Sequence, residues 1–311
     1  MLWLVAVLFG LSGVLTAALY AARRFVWPAL GSVLADGGPI LGALLLARLW
    51  GITGLAWGVV LGALLHNVAL LLGLWKQPWT WAVDVQHPAL RAVGAMLLPR
   101  ALIVALAYFQ IAWGYRLAGG LDPGAVAALA YGWRLMQVPQ TLISTSLATV
   151  LLPTLSAHAA WGDPSAWRRD LGWTLGLAAA LSLLAGGALG WGGEIVARGL
   201  FVRGAFGEAS AEAVGAALRG FAPGLFTYTV VEVTARAFYA RQDFLWPLGA
   251  AAMGTAAYLG LAPLSVRLLG PATGPALAHS LAIGFEGPLL LLGLGRDRVL
   301  GRFSRRGAGQ R

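Results

Sequence analysis

Apolar residues run nearly unbroken for about 20 positions at a time, then give way to short clusters rich in Arg, Asp, Pro and Gly. A run of that length crosses a hydrocarbon layer of ~30 Å as a helix rising 1.5 Å per residue. The pattern predicts nine spanning helices: Met1–Tyr20, Leu30–Trp50, Gly54–Trp75, Ala92–Leu117, Gly124–Ser156, Leu171–Trp191, Ala213–Phe238, Leu245–Leu264 and Gly274–Leu294. The expected fold class is an all-α polytopic membrane protein. A transmembrane barrel would need strands of ~10 residues with alternating polarity, and the sequence does not contain that pattern.

The polar punctuation repeats. Val14, Ala18, Tyr20, Ala21, Phe25, Trp27 and Pro28 recur, 219 positions later, as Val233, Ala237, Tyr239, Ala240, Phe244, Trp246 and Pro247. At an offset of 220, Thr53, Gly54 and Ala56 meet Thr273, Gly274 and Ala276, and Leu71-Leu72-Gly73-Leu74 meets Leu291-Leu292-Gly293-Leu294. Segments seven to nine are thus a second copy of segments one to three. Segments four to six have no counterpart, so the expected plan is one complete six-helix lobe and half of a partner lobe. The expected divisions are 1–75 for the half lobe, 76–91 for a linker carrying Trp79 and Trp81, 92–294 for the complete lobe, and 295–311 for a basic tail. Gly192–Glu212, where five charges sit among apolar residues, is expected to be an irregular interfacial turn.

Composition agrees: 59% of residues are hydrophobic, 11% are charged, and mean hydropathy is +0.76. That is too little polar surface to coat a water-soluble globule. The absence of cysteine removes disulfides, thiol chemistry and thiolate metal sites. The net charge of +10 could suggest nucleic acid, but the cations are distributed by topology. With the Arg23-Arg24 loop on the cytoplasmic side, that side and the tail hold thirteen Arg and Lys, and the opposite side five. The tail is expected to meet anionic membrane lipids, at about 1 kcal/mol per cation near the surface. Both copies of the repeat then share one orientation, a parallel repeat. The first segment would begin outside, a sign that three helices precede it in the intact plan.

Few charges fall within the spans, and each costs roughly 2.5–3.5 kcal/mol at a helix centre on insertion scales. Arg134 lies about ten residues into segment five, roughly 15 Å along its axis. Gln137 shares its face, and Pro139 frees the Leu135 carbonyl one turn back. A guanidinium fork beside water suits a phosphate or diphosphate. The competing reading is an Arg that snorkels to the interface or closes a helix contact. Arg100 and Gln110 in segment four are further candidate substrate contacts, against snorkelling for the first and an interhelical hydrogen bond for the second. Glu232 and Arg236, four residues apart, read as a structural ion pair. His66, His87, His158 and His279 show no metal spacing, and no nucleophile, phosphate-loop or cofactor motif is present, so no enzyme, metal or cofactor is implied.

The stretches GVLTAALYAARRFVWPALGSVLADGGPILGALLLA (13–47), AYGWRLMQVPQTLISTSLATVLLPTLSAHAAWGD (130–163) and ARAFYARQDFLWP (235–247) resemble the MurJ/MviN family of lipid II flippases. The superfamily also contains multidrug exporters of the MATE type. The R-L-M-x-x-P and L-L-P-T-L-S elements are the specific ones. The resemblance implies a two-lobed helical transporter in the bacterial cytoplasmic membrane. It would carry the undecaprenyl-diphosphate-linked peptidoglycan precursor, lipid II, across by alternating access. The arginine of the R-L-M element contacts the diphosphate in that family, which maps the role onto Arg134. Gln137 stands where the family often has an acid. The resemblance also implies that the first three and last two helices of the family plan lie outside this chain. Two alternatives remain open: a cation-coupled drug or polysaccharide-precursor exporter, using Glu232 or Glu286 as its membrane carboxylate, and a non-transporting remnant.

Overall fold

A computed structural model describes residues 2–75, 88–240 and 243–295. The linker tryptophans Trp79 and Trp81, Arg241 and the basic tail from 296 onward lie outside the described residues. Among the described residues eight helical elements follow one another, the last of them two helices that meet at a kink. They are α1 (Leu2–Ala21), α2 (Val26–Trp50, with a π turn at Gly42–Leu46), α3 (Ile52–Leu74), α4 (Pro88–Gly119), α5 (123–161, with a π turn at Thr141–Thr145), α6 (Pro164–Phe201), α7 (Glu208–Tyr239) and α8 (Leu245–Gly295). They fall into two compact units, Met1–Asp84 and Val85–Arg311, so that α1–α3 belong to the first and α4–α8 to the second.

Seven of the eight are long and apolar enough to cross a membrane, and the protein is a multi-pass, all-α membrane protein. Nine spans were expected, and the difference from seven has two physical reasons. The segments expected at 245–264 and 274–294 are present as two helices, the two arms of α8, which meet at a kink at Gly270, where φ of 83° and ψ of 174° are not helical and φ lies in the left-handed region open to glycine; end to end they count as one apolar stretch. The segment expected at 213–238 lies in α7, which is less apolar because α5, α6 and α8 pack around it. A helix that meets other helices instead of lipid need not be uniformly apolar.

Gly192–Glu212 departs from expectation in the same way. Residues up to Phe201 continue α6, and only a short turn through Gly204 (φ 58°) precedes α7. Three of the five charges that read as an interfacial turn form ion pairs: Glu194 with Arg198 within α6 (3.2 Å) and with Arg219 of α7 (3.3 Å), and Arg198 with Glu208 across the turn (2.7 Å). These side chains are largely exposed, so they align the helix ends more than they stabilise them.

The first unit is closed by glycine. Gly38 and Gly42 of α2 face Gly58 and Gly62 of α3 so closely that the backbones touch: a Cβ on Gly58 would stand 2.5 Å from the Gly42 Cα. Without hydrophobic drive between helices in lipid, such small-residue contacts supply the packing.

The repeat is visible as packing within each unit. Trp27, at the start of α2, lies over Gly73 of α3, where a Cβ would come within 2.5 Å of its ring. Trp246, 219 positions later, lies over Gly293 and donates its indole N–H to the Leu289 carbonyl at 3.0 Å. The Tyr20–Phe25 ring pair (5.7 Å) returns as Tyr239–Phe244 (5.2 Å). The polar position between them diverges. Arg24 donates to the Gly73 carbonyl at 2.7 Å, whereas Asp243 accepts from the Leu245 and Trp246 N–H groups at the start of α8. Trp246→Phe is expected to cost about 1 kcal/mol through the lost hydrogen bond, and Trp246→Ala about 3 kcal/mol through the emptied notch. Thermal unfolding in detergent measures both.

Candidate functional site

Helix α5 has two faces. Ala125, Leu129, Gly132 and Met136 recur at helical spacing and pack inward, with Leu129 and Met136 in the core around α7. The Trp133 ring joins that core, 5.4 Å from the rings of Phe221, Tyr228 and His279. One residue is 100° of helix, so Arg134 and Gln137 emerge on the other face, together with Tyr131, Val138 and Thr141, and all five are exposed within the second unit. Among the described residues no carboxylate pairs with Arg134, and the phenol of Tyr115 on α4 is its electrostatic neighbour. A guanidinium with no internal anion, about three turns into an apolar helix, has its donors free for an external one.

The other residues singled out in the sequence lie elsewhere. Gln110 is buried, 3% exposed, and donates its amide to the Thr255 hydroxyl of α8 at 2.7 Å, which ties α4 to α8. Its Oε1 is buried without a partner. It lines a cavity of about 30 Å³ with Tyr115, Trp133, Tyr258 and His279, room for about two waters. Arg100 is exposed, with its guanidinium 5.2 Å from the centroid of the Tyr239 ring, a cation–π contact near the end of α7. Glu232 and Arg236 form an ion pair on α7. Arg134 and Gln137 thus share one exposed face, Gln110 lies at the α4–α8 contact, and Arg100 and the Glu232–Arg236 pair neighbour one another around Tyr239.

The aromatic and histidine nest behind Trp133 is not readable as a group in the sequence. Tyr228 comes from α7, and Tyr258 and His279 come from the two arms of α8. Tyr228 shares a hydrogen bond with His279 Nε2. The linear signal was confined to His279 and Glu286, two ionisable residues seven apart in a run without other charges.

Comparison with known proteins agrees with this fold. The chain is 29% identical over 200 residues to the lipid II flippase MurJ of Burkholderia cenocepacia, covering 62% of this chain and 39% of that protein. It is 26% identical over 266 residues to the probable lipid II flippase MurJ of Haemophilus influenzae, covering 82% of this chain and 51% of that one. The chain therefore spans about half the length, or less, of these relatives. Among solved structures it matches a lipid II flippase MurJ in an inward closed conformation, with a TM-score of 0.79 at 20% identity over 96% of this chain and 62% of that one. An inward-facing multidrug transporter of the MATE family matches with a TM-score of 0.77 at 15% identity over 97% of this chain and 70% of that one. At those identities the two structures speak for the fold alone. The family model described as lipid II flippase MurJ matches residues 1–304, and the chain belongs to that family.

Proposed function

We propose that this chain is part of a transporter that moves the undecaprenyl-diphosphate-linked peptidoglycan precursor, lipid II, across the bacterial cytoplasmic membrane by alternating access. The observation that carries the reading is Arg134: an exposed guanidinium about three turns into an apolar helix, with no carboxylate paired to it among the described residues. The diphosphate is the one strongly anionic group of such a lipid, and a planar fork of donors grips it at two oxygens. Gln137, one turn on, adds a neutral amide that can donate to the same anion. Arg100 serves as a cation at the cytoplasmic headgroup level, where a lipid substrate first meets the helix ends. Gln110 holds α4 against α8, and the Glu232–Arg236 pair is structural. In the same reading, 1–75 is half of one lobe, 76–91 the link, and 92–294 the other lobe. No step of this kind makes or breaks a covalent bond, so the protein works as a carrier and not as an enzyme.

The test is binding of undecaprenyl diphosphate to the purified chain in nanodiscs, with undecaprenol as the uncharged control. A clear preference for the diphosphate, weakening as salt rises, is expected. Equal retention of the two lipids would remove the reading's chemical basis.

A further inference from the structure

The transport reading leaves the buried polar face of the second arm of α8 unused. His279 and Glu286, seven residues apart, lie two turns from one another on that face and point into the second unit, 6% and 9% exposed. Glu286 is closely invested: a methyl on Gly254 of the facing arm would collide with its Oε1. Among the described residues no cation pairs with it. Tyr228 links the two positions, sharing a hydrogen bond with His279 Nε2 while standing in electrostatic reach of the Glu286 carboxylate.

The groups around this carboxylate are few. From α7 they are Tyr228 and Tyr239, the second shared with the Arg100 guanidinium and the Glu232–Arg236 pair. Around His279, two turns back, Tyr258 of the first arm of α8 stands 5.5 Å from the ring. The uncharged Trp133 ring of α5 likewise borders His279, at 5.4 Å. The formal cations nearby, Arg100 and Arg236, are engaged with the Tyr239 ring and with Glu232. A carboxylate withdrawn from water without its own cation is neutralised by taking up a proton. A metal ion would need several more oxygens, and no cluster of three or more His, Asp or Glu exists among the described residues.

We propose that Glu286, with the Tyr228–His279 pair beside it, is a proton-binding site of the second unit whose occupancy is coupled to the lipid cycle. One proton from water adds to a carboxylate oxygen of Glu286 when that face is open to the aqueous phase, and leaves to water when it opens again; no other bond changes. The His279 ring borders the small Gln110 cavity, which supplies room for water next to the pair. The coupling rests on the transport reading above, whereas the proton site does not.

Infrared difference spectra of the full chain in nanodiscs, titrated from alkaline to acidic pH, test the site directly. The wild-type chain is expected to show the C=O stretch of a buried carboxylic acid, lost in the near-isosteric Glu286→Gln variant. Tyr228→Phe is expected to keep the band and shift its titration midpoint. Replacing choline by sodium should leave it unmoved. Spectra of Glu286→Gln that superimpose on wild type, a midpoint indifferent to Tyr228→Phe, or a band removed by sodium would each overturn the proposal. For the coupling, undecaprenyl diphosphate affinity is expected to vary with pH in the wild-type chain and to be flat in Glu286→Gln. Identical pH profiles would overturn the coupling. No binding at any pH in either protein would instead sink the Arg134 reading, while the infrared result still decides the proton site.

Discussion

Arg134→Ala is expected to weaken undecaprenyl diphosphate binding by about 10- to 100-fold while leaving the thermal midpoint of the chain unchanged. A charge-assisted pair of hydrogen bonds contributes about 1.5–3 kcal/mol, and each ~1.4 kcal/mol is a factor of ten in affinity. The separation from stability follows from the two faces of α5. Met136 and Trp133 hold the helix in the core, and Arg134 is exposed without an ion-pair partner among the described residues. Truncating it therefore empties no packed site. Arg134→Lys keeps the charge but replaces the planar fork by a point donor, so an intermediate loss is expected. Gln137→Ala, removing one neutral donor, should cost no more than about tenfold. Isothermal titration or native mass spectrometry on the three variants reads the order directly. If Arg134→Ala binds as the wild type does, the guanidinium is not the anion contact. If it unfolds instead, the residue is structural.

The two faces were readable in advance, because a period of 3.6 puts Arg134 across the helix from Leu129, Gly132 and Met136 whatever lies beyond. The repeat was equally legible. Trp27 over Gly73 and Trp246 over Gly293 use residues whose recurrence the offsets 219 and 220 already marked. What stayed hidden depends on partners distant in sequence. The charges of 192–212 read as an interface because nothing linear says that Glu194 reaches Arg219 on the next helix. Gln110 could be placed in a cavity or in a helix contact, and it does both: its amide reaches Thr255, 145 positions away, and its side chain lines the small cavity beside His279. The pairing of Tyr228 with His279 spans 51 positions and two helices, so a lone histidine in an apolar run gave no hint of it. The break between the two arms of α8 was legible, because Gly270 and Pro271 fall between the two apolar runs, and Gly270 takes the positive φ that separates them.

Gly38→Leu is expected to break the first unit apart, with Gly37→Ala beside it harmless. A Cβ on Gly38 would stand 2.5 Å from the Gly58 carbonyl oxygen and closer still to the Gly62 backbone. Both neighbours are main-chain atoms, so no rotamer change relieves the clash and α2 must move away from α3. A Cβ on Gly37, one residue earlier and 100° round the same helix, would meet nothing within 4 Å. There alanine gains helix propensity of up to about 1 kcal/mol. Overpacking of this kind costs about 1–3 kcal/mol even where side chains can yield, and it forfeits the van der Waals contact that stands in for hydrophobic drive within the bilayer. The chain has no native cysteine, so a single Ala63→Cys, at a position 0% exposed in α3, reports the contact without background. Maleimide labelling there is expected to be slow in the otherwise wild-type chain and with Gly37→Ala. With Gly38→Leu it should be about 10- to 100-fold faster, the factor that 1–3 kcal/mol of lost packing gives. Equal labelling rates in all three would mean that the α2–α3 backbones do not meet at these glycines.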